Sequence, residues 1–576
     1  MKSLRLTTFV AAVIVSLGFW ACNPLNKMKK NAPTITYDVT PDPLEMHGDT
    51  VIITATGKFP PKYFHKKATV KVTPVIKDAS GNVVKEMDPI MLIGEDADGD
   101  GQKINFEKGG SYTYTTSVPY SENLADVLVY AKAEAIFKGK SKVFDEVEVG
   151  KGTIATSLWV QSDDRPILGK DEFKKVIPRS ISADLHYLVN SSQVRNPELR
   201  DEDMKAMMDF ISDGAESGLV FKGVTISAYA SPDGEISLNE NLANDRASSA
   251  SKALARQFRR SKVEAASAEG FMALQGKGED WDGFKKAMEM SSIQDKQLII
   301  RVLKMYSDLN KREEEIKNLA ATYTEIREQI LPDLRRSQIT INAEEQARTD
   351  AEITRLTKAA PDSLSVEELL YAATLTNDMG EKLACYQNAS RLYPKDWRGP
   401  NNVGYIYLLQ SKVSEAKAEF QKAAGLASNN PVINNNLGII ARLEGDRAQA
   451  RQLLSSATAA GNDVNYNLGI LDIIGGNYSS AVSNMSGAQT FNAALATLMS
   501  GNADGALNIV DQSDDKSTAA GYYLKAIAGA RKSNKDLVIN NLKAAFAKDA
   551  TLKAKAKVDA EFLAYRGDND FDTLLN

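Results

Sequence analysis

The chain reads as a multidomain protein: an N-terminal β-sandwich, a central α/β domain and a C-terminal all-α solenoid. Three observations predict this. Between 34 and 160, runs such as TVIITATGKF, ATVKVTPVI and SYTYTTSV are rich in Val, Ile, Thr and Tyr, and Gly, Pro and Asn-Asp clusters separate them. From 181 to 343, strand-like and helix-like patterns intermix. From 350 to 576 the pattern is helical with short turns, and an internal repeat is visible. A length of 576 residues exceeds what one core organises. The net charge of −5, with both signs mixed, gives no electrostatic footprint for nucleic acid.

The first 21 residues read as a signal peptide. Lys2 and Arg5 form a basic start, and Phe9–Trp20 is apolar but short for a bilayer span. The stretch ends Phe19-Trp20-Ala21-Cys22. A small residue before a cysteine at this place resembles a bacterial lipobox, despite the bulky Phe and Trp. The resemblance implies that Cys22 is lipidated and becomes the first mature residue. An ordinary cleaved signal peptide with a chance cysteine is the alternative. Residues 22–33, with Asn-Pro-Leu-Asn-Lys, read as a flexible tether. Lys27, Lys29 and Lys30 stand where Bacteroidetes-like lipoproteins exported to the surface carry an acidic patch. The resemblance therefore implies an outer-membrane anchor facing the periplasm.

Within the sandwich region, Ala131–Phe137 suits a strand or a helix, because Ala and Glu favour the latter. DADGDGQKINFE places Asp96, Asp98, Asp100 and Glu107 at the spacing of an EF-hand loop, where alternate carboxylates converge on calcium. The flanks look like strands rather than helices, and Lys103 lies inside, so a polar hairpin connection is the competing reading. Calcium is the one cofactor this raises. Two cysteines, Cys22 and Cys385, make no disulfide framework, and three scattered histidines match no usual zinc pattern.

In the α/β region, Leu185–Val189, Val220–Tyr229 and Ser337–Asn342 read as strands, with helices over Asp201–Ile211 and Asn239–Phe258. Residues 227–247 read SAYASPDGEISLNENLANDRA. Gly234, Asn239, Leu242 and the pair Arg246-Ala247 match the motif of OmpA-like domains, which this stretch resembles. The form AYASPDG, the Gly278–Gly283 segment around Trp281 and the closing Leu331–Arg335 are similar to a Bacteroidetes variant of that family. The resemblance implies peptidoglycan contact, with an Asp and the Arg gripping diaminopimelate; a guanidinium reads a carboxylate bidentately. This sequence has Ser231 where the motif has Asp, and Asp233 stands two positions late. Ser231, Asp233, Asn239 and Arg246 are the candidate contacts. Their alternatives are structural: positive φ at Gly234, a helix cap at Asn239, a surface helix position at Arg246.

In the helical region Gly404, Gly438 and Gly469 lie 34 and 31 residues apart. Twelve residues after each stands Ala416, Ala450 or Ala481, four further on Phe420, Leu454 or Met485, and three further on Ala423, Ala457 or Ala488. Small residues there let antiparallel helices approach, and the large one fills the gap. The pattern resembles the tetratricopeptide repeat (TPR), with degenerate copies around Tyr386, Ala506 and Leu542. Asn402, Asn436 and Asn467 recur two residues before the glycines, and Arg398 and Arg442 lie nearby. In peptide-binding repeats of this kind such asparagines bond a partner's backbone on the concave face. A capping or inter-repeat role is the alternative.

The expectation is a non-enzymatic, lipid-anchored envelope scaffold that binds envelope proteins through the OmpA-like domain and the repeat groove. Such proteins serve secretion or assembly complexes. The alternative is a peptidoglycan-binding tether between outer membrane and wall. An envelope enzyme would need a clustered site: Glu279 and Asp280 have no nucleophile, metal or oxyanion hole beside them in sequence.

Overall fold

The computed structural model describes residues 24–576; Cys22 and the expected signal peptide lie outside the described residues. By compactness the chain divides into two units. One holds the N-terminal portion to Gly169 together with Tyr393–Asn576, and the other holds Lys170–Leu392. The boundary expected at 350 therefore moves, because the helices Asp350–Ala359, Val366–Ala372 and Met379–Leu392 belong to the second unit.

In the first unit, two mostly antiparallel sheets form a sandwich. Strand Thr50–Phe59 pairs with Thr36–Thr40 and Leu44–His47 on one side and with Gly110–Pro119 on the other. The second sheet is centred on Thr69–Asp78 and Val127–Phe137, which pair over ten positions. The alanine-rich end of Val127–Phe137 is a strand: Ala131, Ala133 and Ala135 alternate into the core while Lys132 and Glu134 face outward. Period-two burial overrides the helical preference of Ala and Glu there.

The expected tether does not hold from Pro24 onward. Pro24–Asn31 is a helix, and Leu25 and Met28, one turn apart, are buried in the sandwich core. Tyr63 Oη donates to the Met28 carbonyl (3.0 Å), and Lys29 Nζ pairs with Asp145 (2.9 Å). Two apolar residues at helical spacing make this segment part of the domain.

The same unit contains the repeat array, a TPR-like series of antiparallel helix pairs. They are Arg398–Leu409 with Val413–Leu426, Pro431–Leu443 with Arg447–Ser456, and Asn462–Ile474 with Tyr478–Asn484. Phe491–Met499 with Ala503–Gln512 and Ala519–Arg531 with Lys535–Lys548 follow. The repeat glycines do what their spacing suggests. A Cβ on Gly404 would meet the Phe420 ring at 2.8 Å, one on Gly438 would meet Leu454 at 2.7 Å, and one on Gly469 would meet Met485 at 2.6 Å. The sandwich packs on this array: Tyr478 Oη donates to the Met46 carbonyl (3.3 Å), Arg447 pairs with Asp49 and Arg566 with Asp126.

The second unit is built on a four-stranded sheet, in spatial order Val176–His186, Arg336–Gln346, Val220–Ala230, Met272–Glu279. The last two are parallel, joined by the helix Ile236–Arg260, and the other pairings are antiparallel. Helices Glu202–Ser217 and Ile236–Arg260 supply Met204, Met207, Ile211, Ala247, Leu254 and Phe258 to its core. Short helices from Trp281 to Leu334 form a separate small core around Phe284, Met288 and Ile299. Among the described residues no helix is long and apolar enough to cross a membrane.

Candidate functional site

The recurring asparagines are fully buried, and they do hold a peptide backbone. The peptide is the chain's own segment 159–169, which runs from the sandwich across the repeat helices. Asn402 Oδ1 accepts from Gly169 N (2.8 Å) and its Nδ2 donates to Gly169 O (2.9 Å). Asn436 does the same to Ile167 (2.8 and 2.8 Å) and Asn467 to Arg165 (2.8 and 3.0 Å). A fourth, Asn492, does the same to Gln161 (2.8 and 2.8 Å). The strap residues held by successive repeats Asn467, Asn436 and Asn402 are two apart, about 7 Å of extended chain. Neighbouring Asn401 and Asn435 add bonds to the Ile167 and Arg165 carbonyls (3.2 and 3.0 Å) and link the ladder sideways.

Side chains lock the register. Arg442 meets Asp164 through both guanidinium arms, Nε to Oδ1 at 2.7 Å, with both side chains below a tenth exposed. Asp163 accepts from Asn492 and from Tyr466 Oη, and burial raises its carboxyl above the ordinary range against those bonds. The Arg165 guanidinium lies 3.7 Å from the Tyr466 ring centroid. Trp159 stacks on Tyr523 at 4.6 Å, and Ile167 packs against the cluster around Leu454. A Cβ on Gly169 would meet Arg398 Cγ at 2.7 Å, so the strap is pressed onto the helix there. Arg398 itself pairs with Asp396 (2.7 Å).

Sequence reasoning singled out Asn402, Asn436, Asn467 and Arg442 as contacts for a separate partner; they bond the chain's own segment instead. It missed Asn492, because Ala494 replaces the glycine that marks the other repeats. It also missed Asp163 and Asp164, which lie in a segment with no periodic signal. An acidic pair before a groove arginine was the available clue.

In the second unit, Gly234 has φ +126°, the region that favours glycine. The following helix starts at Ile236, not at Asn239, so Asn239 lies in its first turn; its Nδ2 donates to Glu279 Oε1 (2.9 Å). Ser231 Oγ donates to Asp233, whose carboxyl is raised by burial, and Glu313 accepts the Gly234 N–H. Burial likewise raises Glu279, which also accepts from Trp281 Nε1 (2.8 Å). Asp280 is buried, caps the helix Trp281–Met290 through Gly283 N (2.8 Å) and pairs with Arg336 (2.9 Å).

Arg246 is not on the surface. It is fully buried, with Nε donating to Ser191 O (3.0 Å), Nη1 to Tyr229 O (2.8 Å) and Nη2 to Leu188 O (3.3 Å). Burial pushes its pKa down to about 10. The structure thus groups Ser231, Asp233 and Asn239 at one end of the sheet and gives Arg246 to three backbone carbonyls.

Asp96, Asp98, Asp100 and Glu107 are exposed on the connection from Ile90–Gly94 to Gln102–Ile104 and just beyond it. Among the described residues no three His, Cys, Asp or Glu side chains group as a metal ion requires. Cys385 is buried, and burial pushes its thiol up to about 11.

No family model and no curated protein matches the chain. Several solved structures are similar in fold. A tetratricopeptide repeat protein from Parabacteroides merdae is 15% identical over 36% of this chain and 90% of its own, with a TM-score of 0.28. PilW, a type IV pilus biogenesis factor, is 16% identical over 39% of this chain and 99% of its own, TM-score 0.27. The Cut9–Hcn1 complex gives 12% over 57% of this chain and 77% of its own, TM-score 0.31. The helical-repeat fold rests on the helix pairs described above, not on these likenesses.

Proposed function

We propose that the chain is a non-enzymatic scaffold of the cell envelope, held to the outer membrane by a lipid on Cys22 and facing the periplasm. One observation carries the scaffold reading: the strap through the asparagine ladder makes sandwich and repeats one compact body. The chain has occupied its own peptide groove, so partners meet other surfaces, foremost the α/β domain. The sheet order of that domain, with its closing strand Arg336–Gln346 inserted beside the first, supports the OmpA-like reading. Only Asn23 separates Cys22 from the helix Pro24–Asn31, which would keep the sandwich close to the bilayer.

A peptidoglycan tether is the weaker reading, because Arg246 serves backbone carbonyls and Ser231 offers no charge. Photocrosslinkers placed at Glu235 and Asp245 in intact cells, followed by identification of the adducts, test the proposal. Envelope proteins at these positions are expected. Adducts with wall material alone would overturn it in favour of the tether.

A further inference from the structure

A second cleft in the first unit lies where the sandwich, the start of the strap and the C-terminal helices meet. It encloses about 370 Å³, the lower end of the range for small-molecule sites. Tyr120, Trp159, Leu158 and Val558 line it, and the last two are 53% and 39% exposed, so apolar wall stands open to solvent.

Two polar groups of this cleft are open to a ligand, one buried and one exposed. Thr153 is 3% exposed, and its hydroxyl has no hydrogen-bond partner. A buried hydroxyl left unpaired is costly, so natural structures seldom keep one without a reason. Lys555 holds its ammonium 3.9 Å from the Trp159 ring centroid, and among the described residues no carboxylate lies within ion-pair distance of it. The nearest acids are otherwise placed: Asp559 accepts from Tyr523 Oη (2.8 Å) and from Glu561 N (3.0 Å), and Glu122 is exposed at the rim. Burial lowers the Lys555 pKa, against the charges of Asp559 and Glu122, which raise it.

We propose that this cleft binds a carboxylate carried on a small apolar body, with Lys555 as its ion-pair partner, Thr153 as its hydrogen-bond donor and Trp159 as its apolar wall. A polypeptide C-terminus and a free aromatic acid share that chemistry.

The test is titration of the full chain, read by calorimetry, with N-acetyl-Leu-Phe, its C-terminal amide, 3-phenylpropionate and phenethylamine. Both acids are expected to bind, or the peptide alone if the source is a chain terminus. The amide should bind about tenfold more weakly, the loss of roughly one charge-assisted bond. Lys555→Met should weaken acid binding about as much. Thr153→Val should also weaken it while leaving the melting temperature unchanged or higher, since it removes an unpaired buried hydroxyl. Binding of phenethylamine in preference to the acids, acid binding indifferent to Lys555→Met, or no acid binding up to about 1 mM would each overturn the proposal.

Discussion

The Arg442–Asp164 pair offers the sharpest test of the strap. Its two side chains are 8% and 7% exposed and 278 residues apart in sequence. Replacing Arg442 with Ala leaves the Asp164 carboxylate buried without its partner. Breaking a buried pair in this way costs about 3–5 kcal/mol. Removing both partners costs less than the sum of the single changes, because neither charge is then stranded. The observable is local: amide hydrogen exchange at Arg165, Ile167 and Gly169, whose N–H groups are held by Asn467, Asn436 and Asn402. A loss of about 3–5 kcal/mol in the opening free energy speeds their exchange by roughly two to three and a half decades. The double variant Asp164→Ala/Arg442→Ala should recover part of that. If these amides exchange freely in the unaltered protein, or if Arg442→Ala leaves them unchanged, the strap is draped over the repeats and not locked into them.

Three further outcomes follow from the packing. Gly169→Ala places a methyl 2.7 Å from Arg398 Cγ and 3.1 Å from the Trp397 ring, so it should cost about 1–3 kcal/mol in urea unfolding and expose the strap to protease. Arg246→Met strands the carbonyls of Ser191, Tyr229 and Leu188 and should destabilise the α/β domain by at least about 2 kcal/mol; unchanged stability would mean that Arg246 is not structural. Burial raises the Asp559 pKa to about 6 from an ordinary 3.8, so the folded protein holds this proton more tightly than the unfolded chain. Its contribution is complete below pH 3.8 and declines as pH rises through about 6, so Asp559→Asn should flatten the fall in stability between pH 4.5 and 7.5, measured by denaturant titration.

Much of the helical region was legible in advance because one physical demand recurs. Where two helices touch, glycine on one meets a large side chain on the other, and the contacts of Gly404, Gly438 and Gly469 answer that demand in register. Val220–Ala230 and Arg336–Gln346 were legible because buried and exposed residues alternate along them, whereas the first strand is Val176–His186 and not Leu185–Val189, and Met272–Glu279 carries no buried apolar face. Pro24–Asn31 was not, because Pro, Asn and Lys obscure the Leu25–Met28 pair that decides its fate. Arg246 misled for a related reason. A motif position says which residue type the fold keeps, but not whether its guanidinium faces a ligand or a backbone carbonyl.

The strap was illegible on deeper grounds. Residues 161–169 have no helical or strand periodicity because their backbone pairs with side chains from segments more than 230 residues away. A side-chain amide reads N–H and C=O whatever residue bears them, so the ladder leaves little trace in the sequence of what it holds. That indifference has a consequence for function. An outside peptide could satisfy the same asparagines, but it would compete with a segment already attached at both ends. Its apparent affinity is reduced by the fraction of time the groove stands empty. If strap closure is worth even about 3 kcal/mol, that fraction is below roughly one in a hundred. The ladder that looks like a receptor thus acts as an internal joint between the sandwich and the repeats.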